Sequence, residues 1–184
     1  MNEAIRAIYE RSSTRGYLPT PLTEEELKIL EDAALASPTA RNMQEWEFRF
    51  VGPDIIDKVE EAFIRRTCGK EGAEADKAVA DRKGKVLYGA PLMIVISADK
   101  DFKWSKLDSG IAVENIALAA EALGLGSVII GCYDILFEGE TKKEMEELLE
   151  FSENQEFAVA ICIGHKAVTK EPHALDRSKI KRLF

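Results

Sequence analysis

The chain has 184 residues, 46% hydrophobic and 32% charged, which suits one domain with a sizeable core. Lys and Arg number 25 against 33 Asp and Glu, and the formal net charge of −8 argues against nucleic acid or anionic membrane as general partners. Cys68, Cys132 and Cys162 are an odd set at wide spacings, matching neither a disulfide framework nor a zinc pattern, so a reducing cytoplasm is the expected setting.

Glu3 to Glu10 carries Ile5, Ile8 and Tyr9 at helical spacing, and this first helix delivers the chain into Arg11-Ser12-Ser13-Thr14-Arg15. Two guanidinium groups and three hydroxyls within five residues have the composition of a phosphate cradle, because the planar donor fork of arginine matches phosphate oxygens. Arg and Ser also furnish ordinary solvated loops, so the rest of the chain has to decide. No basic region followed by an apolar stretch opens the sequence, and no leader is expected.

Thr23 with Glu26 three residues on forms a capping box, and Leu27, Leu30, Ala33 and Ala34 give the following helix an apolar face that ends before Pro38. Ser37-Pro38-Thr39-Ala40-Arg41-Asn42-Met43-Gln44 is then either a ligand loop or a plain connection to a strand, in which Trp46, Phe48 and Phe50 alternate with Glu47 and Arg49. Pro53-Asp54 opens a third helix through roughly Arg66, with Ile55, Ile56, Val59, Ala62 and Phe63 as its buried side. The charged stretch Thr67 to Lys85 reads as a mobile flap or an exposed helix.

Leu92 to Ile96 is a continuous apolar run and suits a strand buried on both faces. The wider run, Ala90 to Ala98, is too short to span a bilayer. Asp108 to Leu123, apolar and small nearly all round, is expected to be a central helix with close neighbours. Gly124 to Ser127 breaks it, and Val128-Ile129-Ile130-Gly131 is expected as another buried strand. A helix from about Thr141 to Glu150, a strand from Phe157 to Gly164 and a basic tail, Arg177 to Arg182, complete one α+β domain over residues 1–184.

Several chemistries lack their residues. His165 and His173 have no HExxH or paired-carboxylate companion, no GxSxG elbow or P-loop is present, and the cysteines have no histidine at a recognisable spacing. Cys132 and Cys162 read as core residues. Gly124-Leu125-Gly126 is no dinucleotide fingerprint, since Ile129 occupies the third glycine position and a helix precedes it. A phosphate-shaped cluster without metal or triad points to an organic cofactor that carries the reaction.

Arg11-Ser12-Ser13-Thr14-Arg15, then Ser37 to Trp46, then Ala90-Pro91, then Ala122-Leu123-Gly124-Leu125-Gly126-Ser127 running into Ile130-Gly131, in that order, resemble the nitroreductase family of FMN-dependent oxidoreductases. The resemblance extends from about Arg11 to Lys179. It implies a nitroreductase-like fold, a central mixed β-sheet flanked by helices, in a homodimer with FMN at the interface. Arg11, Ser12, Ser13 and Arg15 would contact FMN; Pro38, Thr39, Ala40 and Asn42 would reach it from the partner subunit. Ile129, Ile130 and Gly131 would lie along the isoalloxazine with a backbone N–H offered to N5, and Arg177 and Lys179 would close on the phosphate. NADH or NADPH would be the electron donor and an electron-poor small molecule, a nitroaromatic or quinone, the acceptor. The other classes left open are a non-catalytic flavin-binding or sensory module and a flavin-dependent dehalogenase or flavin-fragmenting relative. Glu45 departs from the family pattern, where many members carry proline.

Overall fold

The computed structural model describes residues 2–184. Among the described residues four strands and six α-helices follow in this order: α1 (Glu3–Glu10), α2 (Glu24–Leu35), β1 (Trp46–Val51), α3 (Pro53–Cys68), α4 (Gly72–Arg82), β2 (Leu92–Asp99), α5 (Ser105–Ala122), β3 (Leu125–Ile130), α6 (Lys142–Leu148) and β4 (Gln155–His165). The strands make one sheet in the order β1-β2-β4-β3, and every pairing between them is antiparallel. Its parallel component is a single bridge, Ser13 to Ser127. The mixed character expected of the sheet therefore resides in the segment after α1, not in a further strand.

Strand alternation divides the core into two. Met93 and Val95 point to one side with Ile56, Val59, Val128, Tyr133, Leu136 and Cys162. Leu92, Ile94 and Ile96 point to the other, against Leu30, Ala112, Ile116, Ala117 and Ala120. The small, apolar residues on the inner side of α5 are what allow this: Ala112, Ile116, Ala117 and Ala120 are fully buried, and α5 touches α1, α2 and all four strands. It is the central helix anticipated from composition.

Local signals set the element ends. In α2 the Thr23 hydroxyl accepts from the Glu26 N–H at 3.2 Å while the Glu26 carboxylate accepts from the Thr23 N–H at 2.7 Å; this capping box satisfies two donors the helix cannot satisfy itself. Pro53 occupies the first turn of α3, and Gly69, at φ 63°, ends it. The stretch Thr67 to Lys85 resolves as the exposed-helix alternative, with Ala75 and Val79 of α4 buried against α3. A carboxylate secures its far end: Glu60, 1% exposed, accepts from the backbone N–H groups of Gly84 (2.5 Å), Val86 (2.7 Å) and Leu87 (2.9 Å).

Three expectations are corrected. Strand β3 starts at Leu125, so Gly126 lies within the strand instead of preceding it while Gly124 stays in the turn, and Gly131 falls outside it. Ile129 is 38% exposed, so β3 is not buried on both faces at its end. Cys132 is exposed rather than a core residue, because it heads a 3-10 segment, Cys132–Phe137, that leaves the sheet; Cys162 is fully buried on β4. Among the described residues no helix is long and apolar enough to cross a membrane.

Candidate functional site

The segment after α1 lies along β3. The Thr14 N–H donates to the Ser127 carbonyl at 2.8 Å, and Thr14 is buried. A Cβ placed on Gly126 would stand 2.5 Å from Thr14 Oγ1, so the glycine is needed for the close approach of the two backbones. This contact joins the arginine cluster to the strand leading to Ile129, Ile130 and Gly131. Residues more than a hundred positions apart thus share one corner of the sheet.

Within that corner, Arg11 follows α1 and is half-buried, its Nε 3.9 Å from Glu114 Oε1 of α5. Ser12 Oγ donates to the Lys170 carbonyl at 2.8 Å, Ser13 makes the parallel bridge, and Arg15 is exposed. Ile130 is buried, and nothing lies within 4 Å of a Cβ built on Gly131. The arginine and serine segment and the open end of β3 at Gly131 thus meet at one corner of the sheet.

The second group of predicted residues forms a loop that begins with Pro38 and is docked on the N-terminal end of α5. The Ala40 N–H donates to Asp108 Oδ2 at 2.8 Å. Thr39 Oγ1 accepts from the Gln44 N–H and Asn42 Oδ1 from Gln44 Nε2, both at 2.9 Å. Arg41 (φ 58°), Asn42 (φ 55°) and Gln44 (φ 51°) are all left-handed without being glycine. Such conformations cost of order 1 kcal/mol or more each and concentrate at functional loops. Asp108 and Glu114 are six residues apart on α5, about 9 Å of rise, so that helix carries the loop near one point and Arg11 near the other.

The tail is a separate matter. Arg177 and Lys179 form an exposed 3-10 turn whose hydrogen bonds and ion pair run among residues 176–180, with Asp176 capping Ser178 and standing 3.8 Å from Lys179 Nζ. Within one chain they are not bonded to the Arg11 segment.

Sequence reading passed over four residues of this region. Thr14 sits inside the cluster but serves through its backbone and its contact with Gly126. Asp108 and Glu114 belong to a helix read only for its apolar faces, although an Asp in the first turn of a helix is a usable signal. Glu45, noted only as a departure, has both carboxyl oxygens shielded from solvent without a hydrogen-bond partner. Its pKa is raised above the ordinary carboxylate range, first by burial and then by the neighbouring Asp108 and Asp99 carboxylates. No group of His, Cys, Asp or Glu among the described residues could hold a metal ion.

Comparison with known proteins gives one consistent answer. The family model described as the Nitroreductase family matches residues 8–165. A protein of Archaeoglobus fulgidus, whose name provisionally gives it as an NADH dehydrogenase or NAD(P)H nitroreductase, is 30% identical over 183 residues, covering 96% of this chain and 92% of its own. An NADPH-flavin oxidoreductase of Vibrio harveyi is 27% identical over 169 residues, covering 90% of this chain and 66% of its own. The crystal structure of a nitroreductase with bound FMN from Desulfitobacterium hafniense superposes with a TM-score of 0.86 at 31% identity, over 100% of both chains.

Proposed function

This chain belongs to the nitroreductase family, and we propose that it is an NAD(P)H-dependent flavin oxidoreductase in which two copies hold FMN between them. The observation that supports the reading is the Thr14 to Ser127 hydrogen bond of 2.8 Å, which joins the arginine and serine segment to the strand that leads to Gly131. The relatives named for NAD(P)H nitroreductase and NADPH-flavin oxidoreductase activity support the donor and cofactor.

When bound, FMN supplies the redox chemistry: hydride acceptance from NADH or NADPH, then electron delivery to an electron-poor acceptor such as a nitroaromatic or quinone, in a ping-pong cycle. The chain's own residues bind and orient. Arg11 and Arg15 would present fixed positive charge to the phosphate or the pyrimidine edge, and Ser12 and Ser13 would add hydroxyl donors. Ile129 and Ile130 would line the ring, with Gly131 permitting backbone approach. Arg177 and Lys179 would join the phosphate site from the tail. No side chain is required to hold or move a proton.

Pro38, Thr39, Ala40 and Asn42 would complete the site of the other copy. Support for pairing comes from apolar side chains that one chain leaves in water: Ile5, Ile8 and Tyr9 on α1, Leu107 on α5, and Leu183 and Phe184 at the end. Of these elements α1 and α5 pack against each other, and apolar surface left in water on neighbouring helices is what an interaction surface would use.

Anaerobic mixing with NADH or NADPH tests the reading. The bound flavin should bleach and recover on addition of a nitro compound or quinone. Bound flavin that never bleaches would make the protein a non-catalytic flavin-binding module instead.

A further inference from the structure

Glu45 stands at the junction between the Pro38 loop and β1, and its two oxygens are shielded from water with no hydrogen-bond partner. Beside it lies the carboxyl of Asp108, which disfavours its charge and is itself 2% exposed in the first turn of α5. An ionised carboxylate only accepts hydrogen bonds, so two of them in contact repel unless one proton lies between them. Asp108 already accepts from the Ala40 N–H at 2.8 Å, and its charge sits at the positive end of α5. The proton therefore belongs on the Glu45 side of the pair. The charged groups facing Glu45 are Asp108 from α5 and Asp99 from β2, both acidic. Its backbone carbonyl is fixed independently by the Asp99 N–H at 3.3 Å and Gln155 Nε2 at 3.0 Å, so only the side chain is free to respond.

We propose that Glu45 is a positioning residue: it shares one proton with Asp108, and the resulting O–H···O bond clamps the strained Pro38 to Gln44 loop onto α5. Loss of the proton as pH rises sets two negative charges against each other beneath the loop. Arg41, Asn42 and Gln44, held at positive φ, then relax from conformations that unaided backbone does not keep. Ala40 loses its anchor in the same event. For function the consequence rests on the flavin reading above, since that loop is the part offered to the other copy's cofactor; the clamp itself does not.

The test is amide hydrogen exchange of the full chain over a pH series that begins in the ordinary carboxylate range and rises above it, corrected for intrinsic pH dependence, with FMN affinity measured in parallel. In the native sequence the Ala40 amide should lose protection through a one-proton step, by about tenfold per pH unit above it. Glu45→Gln donates an N–H to Asp108 at every pH and should show uniform protection without the step. Asp108→Asn, a second variant that keeps an acceptor for Ala40, should also lose it. An identical pH profile in all three proteins, or none in the native protein, overturns the clamp. The step with no FMN binding at any pH upholds the clamp and defeats the flavin reading; FMN binding with no step does the reverse.

Discussion

Thr14 and Gly126 lie so close that the glycine has no room for a side chain: a Cβ there would stand 2.5 Å from Thr14 Oγ1 and 2.7 Å from its Cγ2. Because Thr14 is also hydrogen-bonded to Ser127, neither backbone can shift without breaking the junction between the arginine segment and β3. Gly126→Ala should cost roughly 1–3 kcal/mol of folding stability by overpacking and weaken FMN binding at the same time. Thermal unfolding with and without FMN checks both effects. A variant with native stability and affinity would show that the junction yields easily.

Arg11 is the cation of the cluster that α5 holds in place, through Glu114 at 3.9 Å. Arg11→Ala removes a charge-assisted bond worth roughly 1.5–3 kcal/mol, a loss of about 10- to 150-fold in FMN affinity. Fluorescence titration of flavin into the apoprotein reads this directly. Unchanged affinity would take Arg11 out of the cofactor site.

Much of this site was legible in the residues, and for a physical reason. Guanidinium and hydroxyl clusters, capping boxes and small-residue loops declare themselves locally, so the Arg11 segment, α2 and the Pro38 loop could each be located from their own composition. What joins them is not local. Thr14 meets Gly126, and Ala40 meets Asp108, across separations that no spacing rule encodes. The start of β3 is hidden because Gly124 and Gly126 look alike in sequence, whereas only Gly124 is a turn glycine, at φ 76°, and Gly126 is a strand residue facing Thr14. Cys132 and Cys162 differ in the same way: both follow an apolar run, but only one continues along the sheet.

The same pair of cysteines gives a chemical readout of the fold. Burial pushes the Cys162 thiol up to about 12, with Glu60 adding to the shift, so it has almost no thiolate near neutrality. Alkylation in native buffer should leave Cys162 unmodified while Cys132, exposed, reacts. Mass spectrometry of peptides after brief treatment resolves the two. Early modification of Cys162 would mean that β4 is open to solvent.

Glu45 makes stability depend on pH with a definite sign. Its folded pKa is raised, so the protonated form is favoured by folding. That contribution is complete below the ordinary carboxylate range and is lost as pH rises through the raised value. The melting temperature of the native protein should therefore fall relative to Glu45→Gln across that window and run parallel to it on either side. A difference that stays constant with pH would show that Glu45 titrates normally.

The central claim is that two copies of this chain jointly hold one flavin at each of two shared sites. Sedimentation velocity followed at the visible absorbance of oxidised flavin tests it most directly. The colour should travel with a species of twice the 20.5 kDa chain mass, at one FMN per chain, and dilution to single chains should strip the flavin. Flavin sedimenting with a stable single chain, or a colourless protein that takes up no added FMN, would contradict it.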